Sequence, residues 1–101
     1  MSENVRDLIF QMLDEPQALR VYINSPEEIY LEKQDSFELS TLKLNGSAEL
    51  KALVQLLGRE AGRVLSTDEP AVHFRLKDGK RVAAFRPPGS TSPLVFISKE
   101  K

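Results

Sequence analysis

Two segments of the chain carry apolar residues three and four positions apart, which is the spacing of an amphipathic helix. The first covers residues 3–14, with Ser2 as its predicted N-cap, and ends before Pro16 because the residue preceding a proline avoids the helical region. The second covers residues 47–65, with Ser47 as its predicted N-cap. Its apolar positions are Leu50, Leu53, Val54, Leu57, Ala61 and Val64. These stripes predict two helices that each bury one face.

Gly58 and Gly62 lie four positions apart within the second predicted helix. We expect them to permit close packing against a neighbouring element. A nucleotide-binding loop is rejected, because no predicted strand leads into these glycines and no GxGxxG pattern surrounds them.

Six further runs have the pattern of β-strands, and in most of them apolar and polar residues alternate. They cover residues 19–23, 29–33, 37–41 with an extension toward 44, 72–76, 82–85 and 94–97. Asp78-Gly79 between two of these runs predicts a tight hairpin. The predicted order is α-β-β-β-α-β-β-β within a single domain of residues 1–101. This order indicates an α+β fold with two main helices and a small, mostly antiparallel sheet of about six strands.

The composition excludes several classes of site. With 101 residues, 41% of them hydrophobic and 29% charged, the chain has the balance of one soluble globular domain. The absence of cysteine excludes disulfides, thiolate metal sites and a cysteine nucleophile, and a single histidine excludes a multi-histidine zinc site. The sequence shows no signal peptide and no apolar run long enough to span a bilayer, so we expect a cytoplasmic protein.

No arrangement of residues in the sequence predicts catalysis. His73 lies on the polar side of a predicted strand and no serine has a GxSxG context, so a solvated or hydrogen-bonded histidine is favoured over a catalytic base. Glu27 and Glu28 fall in a turn and are interpreted as a solvated acidic patch. No GxxxxGK[ST] phosphate loop occurs. We expect no catalytic residue, no metal and no cofactor.

The charged residues are unevenly distributed along the chain. Residues 1–50 contain ten acidic and four basic side chains, whereas residues 51–101 contain five acidic and ten basic ones. Five cations concentrate on one predicted hairpin, with only Asp78 against them: Arg75, Lys77, Lys80, Arg81 and Arg86. These five are the candidate residues for binding an anion or a partner. The alternative is a hairpin that is simply solvated.

A two-residue turn at Asp78-Gly79 would place Arg81 opposite Leu76. Arg81 would then lie on the same face as Phe74, either extending to the rim of the sheet or reaching an anion at an interface. Nucleic-acid binding is a weaker hypothesis, because the sequence pI is about 5.8 and no aromatic residue is clearly interleaved with the basic ones.

Three stretches of the chain share the pattern of one known family. They are ALRVYINSPEEIYLEK at 18–33, LVQLLGREAGRVLSTDEPAVHFRLKDGKRVAAFRPP at 53–88, and SPLVFISKEK at 92–101. Together they resemble the N-terminal domain of type II/type IV secretion ATPases, particularly the CpaF-like motors of tight-adherence pili. The second stretch is the most distinctive, since it looks like the family's Arg-Leu-x-Asp-Gly-x-Arg-Val pattern.

The resemblance implies a domain that precedes a RecA-like motor, stacks into a hexameric ring and extends arginines to the nucleotide held by the motor. Arg75 and Arg81 match the two arginines of the pattern. Ser98 stands where the family usually has arginine, and Ser25 stands where it has glycine. The chain stops where the motor would begin, and Ser98 favours a stand-alone relative without the motor over an excised domain.

From the resemblance we expect a non-catalytic interaction or regulatory domain of a bacterial type II/IV secretion or pilus-assembly ATPase, not an enzyme by itself. Its expected partner is the motor domain or further copies of itself, with no nucleic acid and no membrane span. We expect it in the cytoplasm, attached to the inner membrane through partners. The alternative is a stand-alone sensor that binds a small ligand or anion with the basic hairpin 73–86.

Overall fold

The structure, a computed structural model, describes residues 5–65, 70–86 and 93–99. The helices are α1 (Val5–Leu13) and α2 (Ser47–Glu60). The strands are β1 (Ala18–Ser25), β2 (Glu28–Lys33), β3 (Phe37–Leu39), β4 (Ala71–Arg75), β5 (Arg81–Phe85) and β6 (Leu94–Ser98). The predicted α+β fold and its order of elements are confirmed. The Ser2 N-cap lies outside the described residues.

The six strands form one antiparallel sheet in the order β3-β2-β1-β6-β5-β4. The first three strands along the chain form one half of the sheet, and the last three form the other half. The two halves meet where β1 pairs with β6, with Val21 opposite Ile97. The acidic first half of the chain and the basic second half therefore supply opposite halves of the sheet.

Both helices pack on the same face of the sheet. Their apolar stripes and the inward-facing strand residues form one buried cluster. Its members are Ile9, Leu13, Ala18, Val21, Ile23, Ile29, Leu31, Leu44, Leu50, Leu53, Val54, Leu57, Phe74, Leu76, Val82, Ala84, Val95 and Ile97. Because side chains alternate along each strand, the remaining strand positions point to the opposite face.

The start of α2 differs from the prediction by one residue. Gly46, with φ of 104°, occupies the N-cap position, and Ser47 is the first helical residue, not the cap. The Glu49 carboxylate reaches back instead, and its Oε1 accepts a hydrogen bond from the Asn45 N–H at 2.6 Å. This acidic side chain in the first turn satisfies a backbone donor beside the helix, as in a capping box.

The end of α2 lies at Glu60, five residues before the predicted end. Gly62 has φ of 80°, its N–H donates to the Arg59 carbonyl at 3.0 Å, and the Arg63 N–H donates to the Gly58 carbonyl at 2.8 Å. These two bonds form a Schellman motif, which needs the left-handed conformation that glycine adopts readily. Gly62 is therefore a helix terminator and not a packing glycine.

Gly58 does permit close packing, as predicted. It is buried in α2, and a Cβ added there would lie 2.7 Å from Cδ1 of Leu65. The chain after α2 thus folds back over the last turn of the helix.

An ion pair joins α1 to α2. Arg6 donates from Nε to Oε2 of Glu60 at 2.6 Å and from Nη2 to Oε1 at 2.7 Å. The guanidinium also lies 4.2 Å from the centre of the Phe10 ring. The hydrogen bond to Glu60 raises the pKa of Arg6 above its ordinary value.

Replacing Arg6 by lysine is expected to lower the free energy of unfolding by about 1 kcal/mol, because an ammonium cannot reproduce the two-pronged contact or the stacking. Urea denaturation measures the loss. Glu60→Gln should give a similar loss, and the double variant should lose less than the two single losses combined. Additive losses would contradict a direct interaction between the two helices at this point.

Candidate anion and partner site

The face of the sheet opposite the helices carries two rows of side chains across all six strands. Strand register aligns the first, which we name the arginine row: Phe37, Glu32, Arg20, Ser98, Arg81 and Arg75. The second, which we name the aromatic row, lies beside it: Leu39, Tyr30, Tyr22, Phe96, Ala83 and His73. We refer to this side of the sheet as the open face.

The β4–β5 hairpin closes with a three-residue loop, not the predicted two-residue turn. The Leu76 N–H donates to the Lys80 carbonyl at 2.7 Å, which leaves residues 77–79 as the loop. Gly79 supplies the positive φ, 100°, that such loops need at their last position.

The extra loop residue changes the face on which Arg81 lies. Arg81 pairs with Arg75, and Val82 pairs with Phe74 on the buried side. The prediction that Arg81 shares a face with Phe74 and Leu76 is therefore wrong. A shift of one residue in register exchanges the two faces of a strand, so Arg81 points to the open face.

The structure places the five predicted cations in four surroundings. Arg75 and Arg81 are neighbours on the arginine row, and both are exposed. Lys77 is exposed in the hairpin loop. Lys80 turns toward the helices, with its Nζ 4.8 Å from the Phe10 ring centre. Arg86 follows β5, beside a small apolar cleft against α2. Only the first two converge, and binding by any of the five remains a prediction.

Asp78 holds the hairpin loop closed. Its Oδ2 accepts from Lys80 Nζ at 2.6 Å, and its Oδ1 accepts from the Lys80 N–H at 3.1 Å. These hydrogen bonds, the side-chain one foremost, lower the pKa of Asp78 below its ordinary value. A lowered folded-state pKa stabilises the fold above the unfolded-state pKa, and this stabilisation disappears as pH falls through the folded-state value.

Asp78→Asn is expected to cost less than about 1 kcal/mol at neutral pH, because the carboxylate is half exposed and screened by solvent. The amide oxygen can still accept from the Lys80 N–H, so the substitution removes the charge and the hydrogen bond from Lys80 Nζ. Urea denaturation from neutral pH to about pH 3 should show the difference from wild type shrinking as the pH falls. A difference that stays constant would mean that the charge contributes nothing.

A shallow depression of about 290 Å³ lies between the two rows on the open face. It is lined by Arg20, Tyr22, His73, Arg81, Ala83, Phe96 and Ser98. Guanidinium, hydroxyl and imidazole groups line the same concavity as two aromatic rings. This combination suits an anionic group, which arginine and hydroxyl donors can hydrogen-bond.

Neighbouring side chains hold Arg20 in place. Its Nη1 donates to the Tyr22 hydroxyl at 3.0 Å and lies 3.5 Å from Glu32 Oε1. The Tyr22 hydroxyl in turn donates to Glu32 Oε1 at 2.8 Å. The network fixes one arginine of the depression in place, which would reduce the entropy lost if an anion bound there.

Aromatic side chains cover the half of the open face that β1, β2 and β3 supply. Tyr22 meets Phe96 and Phe37 edge to face, with ring centres 5.3 and 5.5 Å apart, and Tyr30 stacks on Phe37 at 5.0 Å. Phe37 and Leu39 nevertheless remain 57% and 60% exposed. Exposed apolar side chains that adjoin one another are a feature of many interaction surfaces.

Sequence reasoning missed Arg20, Tyr22, Phe96 and Ser98 as site residues. They come from β1 and β6, at opposite ends of the chain, and only the pairing of those strands brings them together. Ser98 departs from the family pattern, but no local pattern in the sequence links it to Arg20.

The described residues contain no group of three or more histidine or acidic side chains that could hold a metal ion. His73 lies exposed on β4, on the polar side as predicted. Neither α1 nor α2 is long and apolar enough to cross a bilayer.

No protein-family model matches the sequence, and no curated protein matches it. A solved structure does match: the VirB11 ATPase from the Brucella suis type IV secretion system, in complex with sulphate. The TM-score is 0.74 and the identity 24%, over 97% of this chain and 32% of that one. The two proteins therefore share a fold, and this chain spans about a third of the length of the ATPase. The fold of this chain therefore also occurs in part of a secretion ATPase.

Proposed function

We propose that this chain is a non-catalytic interaction domain of a type II/type IV secretion ATPase. The observation that carries the proposal is the match of 97% of the chain, at a TM-score of 0.74, to part of the VirB11 ATPase. The finer assignment to CpaF-like motors of tight-adherence pili rests on the sequence pattern within residues 53–88. The proposed setting is the cytoplasm of a bacterium, at the inner membrane through partners.

The chemistry of ATP hydrolysis supports a non-catalytic role. RecA-like motors hydrolyse ATP with a GxxxxGK[ST] phosphate loop and groups that hold Mg²⁺, and the sequence contains no GxxxxGK[ST] motif. The domain would act by making contacts that position or regulate a motor supplied by another domain.

The open face is the surface that we assign to this contact. Arg81 lies on β5, between Ser98 on β6 and Arg75 on β4. In the described part of the chain, neither Arg75 nor Arg81 has a carboxylate within ion-pair distance. Exposed guanidinium groups beside aromatic rings are typical of protein interfaces that receive an acidic partner. Lys77 extends the proposed basic surface at the hairpin loop, whereas Lys80 and Arg86 lie on the helix side of the sheet, beside Phe10 and α2.

A domain exchange tests the proposal. Residues 1–101 would replace the structurally matched third of the Brucella suis VirB11 ATPase. We expect the chimera to hydrolyse ATP within about tenfold of the parent rate, a difference of about 1.4 kcal/mol in activation free energy. The isolated chain should hydrolyse none. A folded chimera without activity, or turnover by the isolated chain, would contradict the proposal.

Arg81→Ala within that chimera is expected to lower ATP hydrolysis several-fold while leaving thermal stability near that of the parent chimera. Arg81 is exposed and its side chain packs into no core, so truncation removes a contact and not a fold determinant. Lys51→Ala on the exposed side of α2 is the matched control and should change neither quantity. Equal activity of the two variants would remove Arg81 from the contact.

The depression on the open face favours a second candidate function, a stand-alone sensor for a small anionic ligand. Isothermal calorimetry of the isolated chain with nucleotides and cyclic dinucleotides separates the two functions. Tight binding that Arg81→Ala abolishes would establish the sensor, because an interaction domain needs its motor to complete a ligand site. Absence of binding heat would favour the interaction domain.

A further inference from the structure

β3 is a terminal strand of the sheet, and among the described residues only β2 pairs with it. The Ser40 N–H donates to the Ile29 carbonyl at 2.7 Å. Because successive residues of an antiparallel strand direct their backbone groups to opposite sides, Glu38 also bonds toward β2. Phe37 and Leu39 therefore point their N–H and C=O groups away from the sheet.

The two terminal strands differ in how their free edges are covered. At β4, Nη1 of Arg63 donates to the His73 carbonyl at 3.0 Å, so a guanidinium covers part of that edge. In the described part of the chain, no side chain forms a hydrogen bond with the outward backbone groups of Phe37 or Leu39. An edge strand with free backbone groups is a template on which another extended chain can pair.

The side chains on one side of this edge are apolar. Phe37 and Leu39 lie on the open face, 57% and 60% exposed, and Phe37 stacks on Tyr30 with ring centres 5.0 Å apart. A strand added beside β3 would place its own side chains directly opposite these two. Apolar cross-strand pairs stabilise a sheet, so apolar residues are favoured at both positions of the added strand.

The side chain between them is a carboxylate on the other side of the sheet. Glu38 pairs with Leu31, so it lies exposed on the side of the helices. Its Oε1 is 3.5 Å from Nζ of Lys33, which lies closer, at 3.0 Å, to Oε1 of Glu15. One ammonium thus serves two carboxylates and leaves an excess of negative charge at the edge. A charge in this position deters unselective pairing, but a cation on the added strand would neutralise it.

A second copy of this chain fits the edge poorly. Antiparallel alignment of β3 with another β3 places Glu38 opposite Glu38, and like charges directly opposite each other are destabilising. The edge of β4 in another copy is covered in part by Arg63. The occupant that suits the free edge of β3 is therefore a segment of a different protein.

We propose that the free edge of β3 binds an extended segment of another protein, which pairs antiparallel and carries the pattern apolar–basic–apolar. Its apolar residues lie opposite Phe37 and Leu39, and its basic residue lies opposite Glu38. Backbone hydrogen bonds supply affinity, and the three side chains supply selectivity. The inference goes beyond the proposed function, because it requires no motor and because Arg81 lies four strand spacings, about 19 Å, from β3.

Synthetic peptides test the pattern. The probe is Gly-Thr-Val-Lys-Val-Thr-Gly with a fluorescent label, and anisotropy measures its binding to the full chain. Replacing its lysine by glutamate should weaken binding at least about tenfold. N-methylation of both valines removes the N–H donors that face β3 and should abolish binding. N-methylation of the lysine is the matched control, because that N–H points away from β3, and it should be tolerated.

Two charge-reversed variants of the chain test the position of the basic residue. Glu38→Lys should reverse the preference, so that the glutamate peptide binds more tightly than the lysine peptide. Glu27→Lys is the control, since it changes the net charge equally but lies four residues beyond Leu31 along β2, about 13 Å away. That distance exceeds the Debye length of about 8 Å at physiological ionic strength, so the control should keep the wild-type preference. Both glutamates are exposed, so both variants should fold.

Amide hydrogen exchange measured by NMR separates strand addition from contact through side chains alone. Saturation with the lysine peptide should slow exchange of the Phe37 and Leu39 N–H groups at least about tenfold. The Ser40 N–H, which already bonds to β2, is the internal reference and should change little.

Three outcomes would overturn the inference: no saturable binding of the lysine peptide, a preference that does not follow the charge at Glu38, or unchanged exchange at Phe37 and Leu39. The chimera assay of the proposed function reports separately, because it measures ATP hydrolysis without added peptide. An active chimera with a chain that binds no peptide would reject strand addition alone, and an inactive chimera with peptide binding would reject the proposed function alone.

Discussion

Replacing Leu57 by alanine is expected to lower the free energy of unfolding by about 2–5 kcal/mol. Leu57 is completely buried on the stripe of α2 that faces the sheet, between Leu53 and Val54 on one side and the Schellman turn on the other. Truncation removes apolar contacts and leaves a cavity that the close packing of Leu65 against Gly58 cannot fill. The total free energy of unfolding of a small domain is about 5–15 kcal/mol, so urea denaturation should detect this loss clearly.

Leu56→Ala provides the control for Leu57, since it is the same substitution one position along the same helix. Leu56 is only half buried, so the variant should lose less than half as much stability. Equal losses at the two positions would mean that α2 is rotated relative to the sheet, and that the stripe read from the sequence is not the buried one.

The parts of the fold that were predictable depend on short-range periodicity. The stripe of α2 is encoded within the segment that forms the helix, and so is the alternation of β1. The end of α2 was not predictable from that stripe, because Ala61 and Val64 continue the apolar spacing beyond Glu60. A glycine at position 62 can lie within a helix or terminate it, and only the backbone hydrogen bonds decide between the two.

The candidate site was predictable only in its charge. Arg75 and Arg81 stand out in the sequence because they are close together along the chain. Arg20 and Ser98 do not, because their proximity depends on the pairing of β1 with β6, a contact between opposite ends of the chain. The sequence shows that its two halves differ in charge but not where they lie. The sheet order places them at opposite edges of the sheet.

The hairpin register was not predictable, because Asp-Gly serves in more than one loop. In a two-residue turn both residues occupy left-handed positions, whereas in a three-residue loop only the glycine at the last position does. Both loops fit the sequence, yet they place Arg81 on opposite faces of the sheet. Arg81 is available to a partner on the open face only in the observed register. A measurement of the hairpin register therefore also tests the proposed contact.

Val82→Asp is expected to destabilise the domain by more than about 4 kcal/mol, because it buries a carboxylate without a partner in the core. Val82 is completely buried opposite Phe74 in the observed register. Circular dichroism and urea denaturation should show a largely unfolded chain. Val82→Ala, with an expected loss of about 1–3 kcal/mol, keeps the measurement quantitative if the aspartate variant does not fold at all.

Ala83→Asp completes the test, since it introduces the same carboxylate one position along β5. Ala83 lies on the open face between His73 and Phe96, where the carboxylate stays in contact with water. We expect a loss below about 1 kcal/mol. In the two-residue register the two results would be exchanged, because Val82 would face solvent and Arg81 would face the helices. A stable Val82→Asp beside an unfolded Ala83→Asp would therefore remove Arg81 from the open face, and with it the surface on which the proposed contact with a motor depends.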